Sequence, residues 1–168
     1  MSTENWQVLG VRPFRTPVGL RLSQAARVVS QAFDHALEEA GGSLPVWLIL
    51  LNLKVRRPEN QRELAEAVGV SEATLTYHLN SLDARGLVSR RRDTRNRRIH
   101  VVKLTEEGEA AFTRLQQAAM AFDARLREGF TDADIDTLGG LLGRLSANAG
   151  GPEDGAPPWA GLAERSKK

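Results

Sequence analysis

Between Gln61 and Leu104 the spacing of apolar residues changes character, and the order of those changes narrows the fold more than any other feature of the chain. Leu64, Ala65 and Val68 fall on one face of a short helix, Gln61 to Val68. Gly69 then reads as a left-handed stop. Ser71 caps a second helix, Glu72 to Arg85, with Leu75, Leu79 and Leu82 as its inward stripe and Gly86 as its end. Two stretches of strand character follow, Leu87–Arg91 and Ile99–Leu104. The polar run Arg92–Arg98 between them predicts a β-hairpin with an arginine-rich tip. Asn60, with Glu63 three residues on, resembles a capping box at the start of the first of these helices.

Longer helical periods flank this block. Thr16-Pro17 is a helix start, after which Leu22, Ala26, Val29, Phe33, Ala36, Leu37 and Ala40 recur at three- and four-residue steps until Gly41-Gly42. Ser43 is expected to cap a more apolar, buried helix, Leu44 to Val55. Thr105 caps a long helix of about residues 106–128, with Ala111, Leu115, Ala118 or Ala119, Phe122 and Leu126 inward. Thr131 caps the last, which runs to about Ala147 through Ile135, Leu138, Leu141, Leu142 and Leu145. Residues 1–15 show no period and read as an arm; residues 149–168, rich in Gly and Pro, read as a flexible tail. The expected fold is mainly α with one small β-hairpin, in a single domain over 16–148.

Composition removes several function classes. With no cysteine, a disulfide scaffold, a thiolate metal site, a cysteine nucleophile and a thiol redox switch are excluded. His35, His78 and His100 fall in three different elements, so no metal is expected. No Gly-rich phosphate loop or Ser-His-Asp pattern suggests an enzyme, and no cofactor is expected. The longest apolar run, Leu44 to Leu51, is too short for a membrane span, and the N-terminus lacks a signal-peptide pattern, so the expected location is the cytoplasm. Charge, by contrast, is concentrated. Residues 85–103 hold eight basic residues against Asp93 alone, a local +7 in a chain of net +2, which leaves −5 elsewhere. A basic patch on an acidic body suits an anionic partner, most often nucleic acid, although such a run can also be a solvated face.

The segment around Gly69 therefore meets the requirements of a helix-turn-helix, and the hairpin after it those of a wing. Placing Leu75 inward turns Ala73, Thr74, Tyr77, Asn80 and Ser81 outward, all of them small or hydrogen-bonding groups able to meet base edges. Leu64-Ala65, Val70-Ser71, Thr74-Leu75-Thr76, Leu82, Gly86-Leu87-Val88, Arg91-Arg92-Asp93, Arg95, Arg98 and Leu104-Thr105-Glu106-Glu107-Gly108 together resemble the MarR (multiple antibiotic resistance regulator) family over residues 17–148. The resemblance implies a winged helix-turn-helix transcriptional regulator that binds double-stranded DNA as a homodimer. Its dimerisation helices would lie at about 17–40 and 106–147 and its DNA-binding lobe at about 44–104. It places Ser71, Thr74 and Thr76 at the start of the recognition helix, and Asp93 and Arg95 in the wing, where the Asp helps to set an Arg for the minor groove. Arg91, Arg92, Arg97 and Arg98 complete the basic candidates. Tyr77 stands where the family often has Arg, and Tyr cannot form the bidentate guanine contact open to Arg.

The resemblance also implies a ligand-responsive repressor acting on a palindromic operator. Candidate residues for a small aromatic or phenolic effector are Phe33, His35, Trp47, Leu51 and Phe112. Phe33 and Trp47 suit plain core better than a pocket, and His35 beside Glu38 and Glu39 suits the surface. A dimer has an independent argument: one recognition helix covers only a half-site, and the end helices carry apolar stripes that a lone winged helix leaves exposed. The alternatives are a constitutive DNA-binding regulator without an effector, and a winged-helix module that binds an acidic protein.

Overall fold

A computed structural model describes residues 17–56, 58, 60–92 and 100–150. In chain order these form α1 (Val18–Glu39), α2 (Leu44–Val55), α3 (Gln61–Val68), α4 (Glu72–Ala84), β1 (Val88–Arg92), β2 (His100–Leu104), α5 (Glu106–Leu126) and α6 (Asp132–Asn148). The strands form one antiparallel ladder in which Val88 pairs with Leu104, Arg90 with Val102 and Arg92 with His100. The chain divides into two compact units, and the division falls within the sequence of α1, between Ala32 and Phe33.

The core of the second unit is built around α2, which is apolar on all sides and buries Trp47 to Leu53 without a break. It lies against α3, α4, α5 and β2. Leu64 and Val68 of α3, Leu75, Leu79 and Leu82 of α4, Val88 and Val102 of the hairpin, and Ala111, Phe112 and Leu115 of α5 close around it. Among the described residues Asn52 is the one polar side chain buried there; its Nδ2 donates to the Leu48 carbonyl one turn back (2.8 Å).

Several boundaries differ from the expected ones for identifiable reasons. Ser43 has the extended backbone of a cap but makes no side-chain cap bond. Pro45 occupies the first turn and removes one of the two amides that such a side chain could accept from. Leu87 belongs to the α4–β1 junction rather than to the strand: its amide donates to the Leu82 carbonyl (2.9 Å) and its carbonyl accepts from the Thr105 amide (3.2 Å). Of the stripe expected along α1, Leu37 is fully buried and Phe33 partly so, while Leu22 and Val29 are exposed. Leu126, expected inward, is 42% exposed at the end of α5. No residue of α6 is buried. The arm of residues 1–15, the Thr16 cap, Ile99, and residues 151–168 of the expected tail lie outside the described residues.

Candidate nucleic-acid interface

The helix-turn-helix is fixed by three local devices. Asn60 Oδ1 accepts the Glu63 amide (2.9 Å) and starts α3. Gly69 ends it at φ 79°, where a side chain would be strained, so that the Gly69 and Val70 amides both return to the Ala65 carbonyl (2.9 and 3.1 Å). Two residues later Ser71 Oγ accepts the Thr74 amide (3.1 Å) and α4 begins. Leu75, Leu79 and Leu82 then anchor α4 with no solvent exposure. The face opposite is open: Ala73, Thr74, Thr76, Tyr77, Asn80 and Ser81 are all exposed, Tyr77 at 72%. The Tyr77 ring is supported edge-on by the half-buried His78 (centroids 5.5 Å apart).

The hairpin is clamped to the end of α4 by the first turn of α5. Thr105 Oγ1 donates to the Gly86 carbonyl (2.6 Å) and accepts the Gly108 amide (3.0 Å), so one hydroxyl both caps α5 and holds the junction that launches β1. Gly108 stands so close to this junction that a Cβ on it would lie 1.9 Å from the Leu87 carbonyl oxygen. The sequence reading used the Leu-Thr-x-x-Gly step only as a family mark. Its physical content is backbone contact between helix and hairpin, and the available signal was a glycine inside a helix's first turn, where it has no propensity reason to be. Arg85 was also missed: its Nη2 donates to the Gly41 carbonyl (3.0 Å), tying the end of α4 to the turn after α1.

The basic candidates divide between described and undescribed segments. Arg91 and Arg92 lie in β1, opposite Val101 and His100. Arg90, which the reading left out, shares the strand face of Val88, since alternate strand residues point the same way. Its Nε and Nη2 are shielded from solvent and bonded to no partner among the described residues. Asp93, Arg95, Arg97 and Arg98 lie outside the described residues.

The MarR family model matches residues 43–100, the span from α2 to the start of β2. In this span, which holds the helix-turn-helix and the first strand of the hairpin, the chain is similar to the MarR family. Solved structures of regulators have a similar fold over more of the chain. The transcriptional repressor CouR, solved on a 23-mer DNA duplex, is 27% identical, with a TM-score of 0.70 over 77% of this chain and 92% of that one. CouR from Rhodococcus jostii RHA1, bound to p-coumaroyl-CoA, is 25% identical, with a TM-score of 0.64 over 77% and 91%. The transcriptional regulator PA3341 is 29% identical, with a TM-score of 0.65 over 79% and 98%.

The effector candidates do not all come together. Trp47 stacks on Phe112 (centroids 5.5 Å apart, planes 15° from parallel), and both are buried in the same core as Leu51. Phe33 instead packs on Phe122 (5.1 Å). The side chain of His35 is 72% exposed and faces Glu39, one turn on (3.5 Å), apart from the aromatic pair. Among the described residues no group of three His, Asp or Glu side chains is arranged to hold a metal ion, and no helix is long and apolar enough to cross a membrane.

Proposed function

We propose that this chain is a sequence-specific double-stranded DNA-binding regulator, a cytoplasmic homodimeric repressor whose two recognition helices enter successive major grooves of a palindromic operator. The observation that carries this reading is the pairing of unlike surfaces on one lobe. The outward face of α4 is exposed, uncharged and rich in hydrogen-bonding groups, and the hairpin clamped beside it carries Arg90, Arg91 and Arg92 in its first strand. Phosphate neutralisation by Arg supplies affinity without sequence information; small polar groups on a helix face supply base readout. The CouR structure on duplex DNA supports the same use of a similar fold.

The dimer is supported by apolar residues left in water. Val18, Leu20, Leu22, Val28 and Val29 of α1 are exposed, as are Leu138, Leu141 and Leu142 of α6. A second copy is the simplest cover for such faces, and two-fold symmetry spaces two half-sites about 34–36 Å apart. Release by a small aromatic or phenolic effector is supported by CouR bound to p-coumaroyl-CoA and by the stacked pair Trp47–Phe112 in this chain. Such an effector acts only by binding one spacing of the recognition helices better than another.

Fluorescence anisotropy on a duplex from the gene's own upstream region, over a salt series, tests the core of this reading. Wild type is expected to bind tightly with a steep salt slope, and Arg95→Ala to bind more weakly with a slope shallower by about one. Absence of salt-sensitive DNA binding, together with capture of an acidic protein through the hairpin, would establish the interaction-module reading instead.

A further inference from the structure

The recognition helix carries an unusual chemical restriction. Between Glu72 and Ala84 there is no lysine or arginine, and the two charged residues, Glu72 and Asp83, are both acidic. The commonest specific contact to DNA, a bidentate bond from a cation to guanine O6 and N7, is therefore unavailable to any residue of α4. The hydroxyls at its start are also committed locally. Ser71 Oγ and Thr74 Oγ1 share a hydrogen bond (2.8 Å), and Thr76 Oγ1 donates to the Glu72 carbonyl (2.8 Å). Among the outward polar groups, this leaves the Tyr77 phenol, the Asn80 carboxamide and the Ser81 hydroxyl without partners among the described residues.

Ala73, Tyr77 and Asn80 stand at i, i+4 and i+7, in one ridge along the helix. At 1.5 Å per residue the ridge is about 10 Å long, or roughly three base steps of 3.4 Å. Its groups are a methyl, an aromatic ring and a carboxamide. In the major groove a carboxamide pairs bidentately with adenine N6 and N7, while methyl and aromatic groups find an apolar partner only in the thymine C5-methyl. His78 lies at a steep angle to the Tyr77 ring, their centroids 5.5 Å apart, while Tyr77 itself stays 72% exposed and open to a groove.

We propose that α4 reads A·T pairs: Asn80 pairs with an adenine, and Tyr77, together with the Ala73 methyl, packs on the thymine methyl of a neighbouring step. The assignment rests on the DNA-binding reading above and names the class of operator that the reading leaves open. It makes specificity a matter of α4 and affinity a matter of the arginine-bearing hairpin, two properties that one set of variants can separate.

Selection of duplexes from a random pool by the full chain, run in parallel with Asn80→Ala, Tyr77→Ala and Tyr77→Arg, tests it. All three sites are exposed, so the variants are expected to fold as wild type does. Wild type should enrich half-sites with adjacent A·T positions. Asn80→Ala should lose the preference at one of them by about tenfold or more, and Tyr77→Arg should convert the neighbouring one to guanine. Replacing that thymine with deoxyuridine, which removes only the methyl, should weaken wild type about fourfold and Tyr77→Ala, which keeps only the Ala73 contact, by less. Enriched half-sites that keep the same bases in the Asn80→Ala and Tyr77→Ala selections, with deoxyuridine silent throughout, would overturn the proposal and leave DNA binding standing. A pool with no enrichment by wild type would overturn the DNA-binding reading, and this proposal with it.

Discussion

α2 and α6 are both rich in leucine, yet they occupy opposite ends of the burial scale. α2 has twelve residues and buries seven; α6 has seventeen and buries none. The helices differ in apolar content, nine of twelve residues against seven of seventeen, and they differ also in partners. α2 is surrounded by α3, α4, α5 and β2, so its side chains can be apolar on every side without cost. α6 is well started, since Thr131 and Asp134 form a complete capping box, but Leu138 and Leu141 remain 49% exposed and Leu142 40%. Ile135 and Leu145 are only half-buried. On the dimer proposed above, the leucines of α2 stabilise the fold and those of α6 serve association.

The largest effect that should sharpen this contrast is in α2. Leu50 is fully buried, and Leu50→Ala should cost about 2–5 kcal/mol of stability, read from denaturant unfolding. Next comes α6. Leu142→Glu should leave the lobe around α2 folded, with unchanged helical content at high concentration, while weakening the dimer roughly a hundredfold because two-fold symmetry counts the substitution twice. Sedimentation across a concentration series measures it. An unchanged association constant would break the comparison, for it would mean that the leucines of α6 serve neither core nor partner.

A third variant tests whether the hairpin belongs to the buried region. Gly108→Ala places a methyl group against the Leu87 carbonyl, and backbone has no rotamer by which to move aside. The expected loss is about 1–3 kcal/mol. It should be accompanied by faster amide exchange at Thr105 and Leu87, whose backbone bonds (Thr105 amide to Leu87 carbonyl, Leu87 amide to Leu82 carbonyl) cross the junction. The same substitution at Gly140, in the middle of α6 where nothing stands within 4 Å of a new Cβ, should be neutral or mildly stabilising.

What could be read from the sequence follows the range of the interaction. The ends of α3 and the start of α4 depend on residues three or four positions apart, Asn60 with Glu63, Ala65 with Gly69 and Ser71 with Thr74, and a linear reading reaches all of them. The outward set on α4 follows from the same short period once Leu75 is placed inward. The approach of Gly108 to Leu87 spans twenty-one residues, and the bond from Arg85 to Gly41 forty-four, so neither leaves a periodic trace. His35 shows the limit of face assignment. It sits two residues before the fully buried Leu37, about 200° around the helix, and that rotation alone turns it away from the aromatic core it was expected to line. Ser43 failed for a different reason: the capping residue was recognised correctly, but Pro45 in the same turn removed an amide.

The smallest effect is at the start of α6, and its pH dependence can be derived. Asp134 accepts from the Thr131 hydroxyl (2.6 Å) and the Thr131 amide (2.9 Å), and these bonds, the hydroxyl's first, hold its carboxyl below the ordinary value of 3.8. A carboxyl whose folded pKa is depressed contributes stability that is present above its unfolded pKa and is lost as pH falls through the folded one. The first turn of α6 should therefore be protected at neutral pH and loosen in acid, beginning below the usual carboxylate range of about 4. Thr131→Ala removes the hydroxyl that binds Asp134 and with it one of the two acceptors of the Asp134 amide, the Thr131 carbonyl (3.0 Å) remaining, so it should speed amide exchange at Asp134 modestly at neutral pH. The gap between wild type and Thr131→Ala should close as the carboxyl protonates. Because Asp134 is exposed, the change should stay within the first turn and leave the unfolding midpoint of the α2 core where it was. A shift of that midpoint would mean that α6 and the core unfold together, and that the division between a self-sufficient lobe and a partner-dependent helix is drawn in the wrong place.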